Sequence, residues 1–310
     1  MEEKVEIMNL LKNKQMLENE LASLAYGSVE IRENNSNQYI YVHYRENGVA
    51  LTKYVGEYSE ELYNLVLNNS IKAKELKRQI REITKKLKQL NYKEEELSEK
   101  VELNIDFAKR HLVDTIYKQA ILEGVATTFA DTESIIEGGK VNNMTSEDIL
   151  KVVNLKHAWE FILNKNVILS PTNFALLCEI NKMVEEGFYY SAGKIRNVPV
   201  TIGGTKWQPE LPIESVIKED LEEILKKNID DIDKAIQILL YIMKKQIFID
   251  GNKRTAVIFS NHYLISKGKG IIVIPVELTE EFKSLLVSYY EGNNEEEISK
   301  FLKEKCYMSI

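Results

Sequence analysis

Apolar side chains recur along most of this chain at the three- and four-residue intervals of helices, and alternate in only a few places. Residues 1 to 26 read as a helix with Ile7, Leu10, Leu17, Leu21 and Leu24 on one face. After Gly27 the pattern changes to period two. Tyr39-Ile40-Tyr41-Val42-His43-Tyr44 and Leu51-Thr52-Lys53-Tyr54-Val55 are expected strands, joined across Glu46-Asn47-Gly48, a hairpin turn signal. A long helix is then predicted from about 59 to 90. Its seam of Leu62, Val66, Ala73, Leu76, Ile80, Ile83, Leu87 and Leu90 keeps coiled-coil spacing, with Asn69 in one polar slot. The charged run Glu94-Glu95-Glu96 reads as a linker. The chain is therefore expected to divide into a helical arm with a small antiparallel sheet, 1–100, and a mainly α-helical domain, 101–310.

Beyond residue 100 nearly every segment has helical period. Ser170 and Pro171 read as the N-cap and first position of a helix. Residues 234 to 247 carry Ile236, Leu239, Leu240, Met243 and Ile247, a buried face, and a second helix pattern resumes after Arg254 through Val257, Ile258, His262, Leu264 and Ile265. Val198, Val200 and Ile202 alternate before Gly203-Gly204, as in a hairpin, with Trp207, Pro209 and Pro212 forming a rigid exit. Ile271-Ile272-Val273-Ile274 is a short apolar run, and Phe282, Leu285, Leu286, Tyr289 and Tyr290 mark another helix.

Composition narrows the function classes. With 310 residues and 44% hydrophobic content the chain can bury a full core. A formal net charge of -7 and a pI near 5.4 argue against general nucleic-acid binding. The notable basic cluster, Lys72, Lys74, Lys77, Arg78, Arg81, Lys85, Lys86 and Lys88, lies in the arm, where a solvated face and a contact surface for an acidic protein or nucleic acid both fit, and through this arm a homo-oligomer or partner contact is expected. Cys178 and Cys306 have apolar neighbours, as reduced thiols do. No membrane span and no signal peptide is read, so a cytoplasmic protein is expected.

The stretch Gln246-Ile247-Phe248-Ile249-Asp250-Gly251-Asn252-Lys253-Arg254-Thr255-Ala256 holds the candidate chemistry. It is a polar turn between two helix patterns. The backbone N–H groups from Gly251 to Arg254 would open the second helix, where unpaired donors and the dipole favour a phosphate. Gly251 lets the backbone approach an anion without a Cβ. Asp250, when ionised, is placed to hold Mg2+. Arg254 can grip phosphate oxygens bidentately, and Lys253 acts as a compact charge.

This stretch resembles the signature of the Fic/Doc family, His-x-Phe-x-(Asp/Glu)-Gly-Asn-Gly-Arg-x-x-Arg, whose Doc branch ends in Asn-Lys-Arg. Phe248, Asp250, Gly251, Asn252 and Arg254 match. Gln246 stands in the place of the catalytic histidine, Lys253 in that of the second glycine and Val257 in that of the second arginine. The resemblance implies a Fic-type helical core that binds ATP and Mg2+ and moves AMP to a hydroxyl of a target protein. A Doc-like kinase using the γ-phosphate and a catalytically silent binding protein are the alternatives. A glutamine amide takes up no proton near neutral pH, and a general base of the kind it replaces is typically worth ~10²- to 10⁴-fold.

Two further segments are similar to parts of that family. Gly193-Lys194-Ile195-Arg196 with Val198, Val200, Ile202, Gly203 and Gly204 resembles its β-hairpin flap, beside which a target chain is expected to dock as an added strand. Thr132-Glu133-Ser134-Ile135-Ile136-Glu137-Gly138 resembles its inhibitory helix, in which Glu137, with Ser134 nearby, is expected to reach the nucleotide site. His43, His111, His157 and His262 are each read as packed or surface histidines.

Overall fold

A computed structural model of the chain describes residues 2–34, 37–46, 49–90, 92, 97–142 and 144–310. The proposed turn at Asn47-Gly48 and the proposed linker Glu94-Glu95-Glu96 lie outside them. The chain forms two compact units, 1–94 and 95–310.

In the first unit, α1 (Glu2–Ser23) is followed by β1 (Ser28–Asn34), β2 (Asn37–Glu46), β3 (Val49–Glu57) and α2 (Glu60–Gln89). The strands make an antiparallel sheet in the order β1-β2-β3. Alternation puts Ile40 and Val42 of β2 on one face, where they bury completely against Val66 of α2, with Val29, Val55, Leu62 and Tyr63 around them. Asn69, the polar slot of the α2 seam, donates to the Ala25 carbonyl at 3.2 Å, and Ser70 brackets Gly27. These bonds fix the turn from α1 into the sheet. The side chains that α1 buries most are Met8, Leu11 and Gln15, one position round from the expected Ile7 and Leu10. A helix face is wider than a single spacing register, so the neighbouring row meets α2 instead.

The second unit runs through α3 (Glu99–Arg110), α4 (Leu112–Leu122), α5 (Phe129–Ile136), α6 (Ser146–Ile162), α7 (Lys165–Ile168), α8 (Phe174–Val184), α9 (Glu214–Lys226), α10 (Asp231–Lys245), α11 (Asn252–Ser266), β4 (Ile271–Ile272), α12 (Thr279–Tyr290), α13 (Glu295–Phe301) and β5 (Tyr307–Met308). At the centre lies α11, packed by α10, α8, α6, α3 and α7. Nearly every side chain from Asn252 to Ile265 is buried, as a helix enclosed by others requires. Its polar members are therefore bonded inside the core. Asn261 donates to the Ile272 carbonyl at 2.8 Å and accepts from the Ile272 N–H at 2.7 Å, which docks β4 onto the helix. β4 pairs antiparallel with β5.

Two expectations are corrected here. α8 begins at Phe174, capped by Asn173, whose side chain accepts from Leu176 N; Ser170 and Pro171 lie outside it. Ser170 instead bonds back to the Val167 carbonyl, at the end of α7. The segment from Asn197 to Ile213 turns at Gly203-Gly204 but forms no strand ladder, so Val198, Val200 and Ile202 are not in a β-hairpin. Its two limbs are tied by a side chain. Buried Arg196 donates to the carbonyls of Val198 (2.9 Å) and Glu210 (2.6 Å), and more distantly to Pro209 (3.4 Å).

Candidate phosphate site at the start of α11

The loop between α10 and α11 is shaped by two left-handed residues. Gln246 ends α10 at φ 48°, ψ 61°, and Gly251 precedes α11 at φ 72°. Glycine takes that conformation without strain, whereas a glutamine needs compensation. Gln246 finds it in its amide, which donates to the Met243 carbonyl at 2.6 Å and accepts from Asn252 Nδ2 at 3.2 Å. Asn252 closes the loop further, accepting from Phe248 N (2.9 Å) and donating to the Phe248 carbonyl (2.8 Å). Phe248 is buried beneath. Arg196 adds a bond from Nε to the Gln246 carbonyl at 2.5 Å, and Asn181 one to the Asp250 carbonyl at 3.1 Å. The turn is thus held from three sides before any ligand is considered.

No side chain caps the first turn of α11, and the turn holds Lys253 and Arg254 and no acid. That combination of open N–H donors and cations suits an anion. Arg254 is only 3% exposed. Its Nη2 lies 2.7 Å from Glu185 Oε1, its Nε 3.4 Å from Glu123 Oε2 and its Nη2 3.7 Å from Asp250 Oδ2. Nε and Nη1 have no hydrogen-bond partner among the described residues, and neither does Glu185 Oε1. The Glu185 contact is short yet unaligned, an ion pair rather than a directed bond. Lys253 meets the other oxygen of Glu123 at 3.2 Å. A cavity of about 420 Å³ opens here, lined by Arg254, Asp250, Glu123, Glu185, Lys151 and Tyr189 among others. Burial pushes the Glu185 carboxyl up to about 7, against the pull of Arg254.

Asp250 is half exposed, with one oxygen accepting from Gly251 N at 2.7 Å. Among the described residues no three His, Cys, Asp or Glu side chains stand together as a metal cluster. A single open carboxylate fits Mg2+, which keeps waters and relies on substrate phosphates for its other ligands.

Glu137 is placed differently from the expectation. It caps the C-terminus of α5 and is exposed, while Ser134 accepts from Gly139 N through its backbone carbonyl at 2.7 Å. The carboxylates paired with Arg254 are those of Glu123, Glu185 and Asp250. Glu123, the C-cap of α4, reaches the site because Gln119 of the same helix bonds the Arg254 carbonyl at 2.9 Å and is held in turn by Trp159. None of the four histidines replaces the missing base. His262 is fully buried in α11, His157 is exposed on α6, His111 joins α3 to α4, and His43 lies in β2.

On the Gln246 side of the loop, Trp207 stacks on Tyr290, ring centroids 5.6 Å apart, beside a second cleft of about 440 Å³ bounded by Trp207, Tyr241, Tyr289, Lys244 and Lys245. Sequence spacing draws attention to none of these aromatics as a group, because they come from the loop after Arg196, α10 and α12.

Residues 171–264, the stretch holding α8, α10 and the loop just described, match the model of the Fic/DOC family. Over that segment the chain is similar to the Fic/DOC family. Its fold is similar to that of Fic-1 (amino acids 134 to 508) from C. elegans, at 19% identity and a TM-score of 0.52, with 78% of this chain and 79% of that one covered. It is also similar to a Fic domain containing signaling protein from Bacteroides thetaiotaomicron (19%, 0.52, 61% and 75%) and a Fic family protein from Desulfovibrio desulfuricans (15%, 0.51, 68% and 73%). At such identities the likeness is one of fold. No curated protein sequence matches the chain. Among the described residues no helix is long and apolar enough to cross a membrane.

Proposed function

We propose that this protein binds Mg-ATP at the start of α11 and transfers AMP to a hydroxyl of a target protein, slowly, because Gln246 supplies no base. The observation that carries the reading is Arg254: a buried guanidinium with two nitrogens that make no hydrogen bond to the described residues, at an uncapped helix N-terminus, beside a half-exposed aspartate. The first turn of α11, Lys253 and Arg254 would take the phosphates, and Asp250 the Mg2+, which draws charge from the transferred group. Positioning and charge stabilisation of this kind do not require an imidazole. Glu123 acts as the site's internal acid, neutralising Lys253 and Arg254 until phosphate replaces it. The target chain would run along the loop after Arg196, with Gly203-Gly204 at its tip.

A catalytically silent nucleotide-binding role is the second reading, and the amide of Gln246 favours it, since both its ends are committed to Met243 and Asn252. Incubation with α- and γ-labelled ATP in a lysate separates these readings. Label from the α position means AMP transfer, label from γ alone means a kinase with Lys253 near the phosphates, and neither means a silent site. Gln246→His is expected to raise labelling by ~10²- to 10⁴-fold. An unchanged rate in that variant, with Mg-ATP still bound, rules out the missing base as the obstacle. In calorimetry Arg254→Ala is expected to weaken Mg-ATP by about 1–3 kcal/mol.

A further inference from the structure

Glu185 lies outside the signature loop, at the C-cap of α8, where its N–H donates to the Asn181 carbonyl at 2.9 Å and its carbonyl accepts from Phe188 N at 3.0 Å. Its side chain is 1% exposed and ends 2.7 Å from Arg254 Nη2. On one side it is closely packed. A Cβ on Gly251 would stand 2.3 Å from Glu185 Oε1 and 3.0 Å from its Cδ, so the loop backbone is pressed against the carboxyl group. This accounts for the glycine at 251 in a second way, besides its φ.

Glu123 is the opposite case. Its side chain is more exposed, at 11%, its contact with Arg254 Nε is longer, at 3.4 Å, and it shares its charge with Lys253. Gly124 follows at φ 76°, with nothing within 4 Å of where a Cβ would stand. Of the two acids on the guanidinium, Glu185 is the more buried and the closer, and Glu123 the more exposed and the more loosely held.

We propose that Glu185 is the positioning residue for Arg254: it fixes the Nη2 side of the guanidinium so that Nε and Nη1 stay turned toward the place an incoming phosphate takes when Glu123 withdraws. Without it, Arg254 has Glu123 and Asp250 as its remaining acidic partners, and the fork turns toward them. The titratable and charged groups that line the pocket with Glu185 are Arg254, Asp250, Glu123, Glu147, Lys151 and Tyr189.

The proposal rests on the nucleotide reading for its function, and its test separates the two. Glu185→Met keeps the side-chain volume and removes the charge and both oxygens; Glu185→Gln keeps the shape and one oxygen and removes only the charge. Calorimetry on the full chain compares Mg-ATP with adenosine, which lacks phosphate. Glu185→Met is expected to weaken Mg-ATP about tenfold or more, as loss of a buried charge partner does. Adenosine should change less than about twofold in either variant, since it shares no partner with Glu185. Glu185→Gln, which keeps the shape and loses the charge, should weaken Mg-ATP in the same direction. Nitrogen NMR of the guanidinium, assigned by the signal missing in Arg254→Lys, gives a readout that needs no ligand: hindered Nη rotation in the wild type, averaged in Glu185→Met and in Glu185→Gln.

If Glu185→Met folds and leaves Mg-ATP affinity and the Arg254 signal unchanged, the positioning role is wrong. Equal weakening of adenosine and Mg-ATP would also overturn it, because a general collapse of the site would then be the cause. If the wild type binds no Mg-ATP, the nucleotide reading fails, and the NMR comparison alone decides whether Glu185 holds Arg254.

Discussion

His262 sits within α11, fully buried, with Nε2 2.9 Å from the Val167 carbonyl and Nδ1 3.0 Å from Thr172 Oγ1. The carbonyl only accepts, so Nε2 carries the proton and the hydroxyl donates to Nδ1. Burial pushes this histidine down from 6.5 to about 4. Between those values the unfolded chain binds the proton and the folded one does not, so stability falls as pH drops from 6.5 toward 4, by up to about 3 kcal/mol. Glu185 acts with the opposite sign. Its carboxyl is raised from 4.5 to about 7, so the folded chain holds the extra proton and stability falls as pH rises through that window, by a similar order of about 3 kcal/mol. In the wild type the two contributions oppose each other near pH 5 to 6. Urea titrations of single variants should separate them: relative to wild type, His262→Gln gains stability on going from pH 7 to pH 4.5, and Glu185→Gln gains on going from pH 5 to pH 8. A pH-independent difference for either variant would show that the buried group does not titrate in that range.

At the scale of elements, the helices whose apolar spacing is regular are legible from the chain alone. The expected helix from 59 to 90 is α2, Glu60–Gln89, and the apolar face from 234 to 247 is α10, Asp231–Lys245. What spacing does not reach is which distant side chains meet. Glu123-Gly124 and Glu137-Gly138 both end short helices with the same dipeptide, and it is the first whose helix bonds the Arg254 carbonyl, through Gln119, and whose carboxylate meets Arg254. Glu185 carries no local signal of its role, since its partner lies 69 positions away. The loop after Arg196 shows the same limit. Alternating Val198, Val200 and Ile202 looks like a strand, but a ladder needs a partner, and here the carbonyls are gathered by one guanidinium. Arg196 is 4% exposed, so Arg196→Met should leave several carbonyls without their donor, at about 1–3 kcal/mol each for those that stay buried. Amide exchange and limited proteolysis should report new opening between residues 197 and 212. Protection equal to the wild type there would show that the loop is held by its apolar contacts instead.

On the scale of the whole molecule, each unit has its own buried core, the sheet with α2 in one and the helices around α11 in the other. The side chains proposed for phosphate, metal and target all lie in the second. A chain shortened to residues 97–310 should therefore fold alone and bind Mg-ATP within about twofold of the full chain, as expected when removed groups share no partner with the site. Calorimetric unfolding of the full chain should show two transitions, one of which coincides with that of the shortened chain and moves up with Mg-ATP, since a ligand stabilises only the unit that binds it. The other should not move with nucleotide. A single transition that shifts as a whole, or a shortened chain that fails to fold, would mean that the first unit is part of the working fold and not an appended arm.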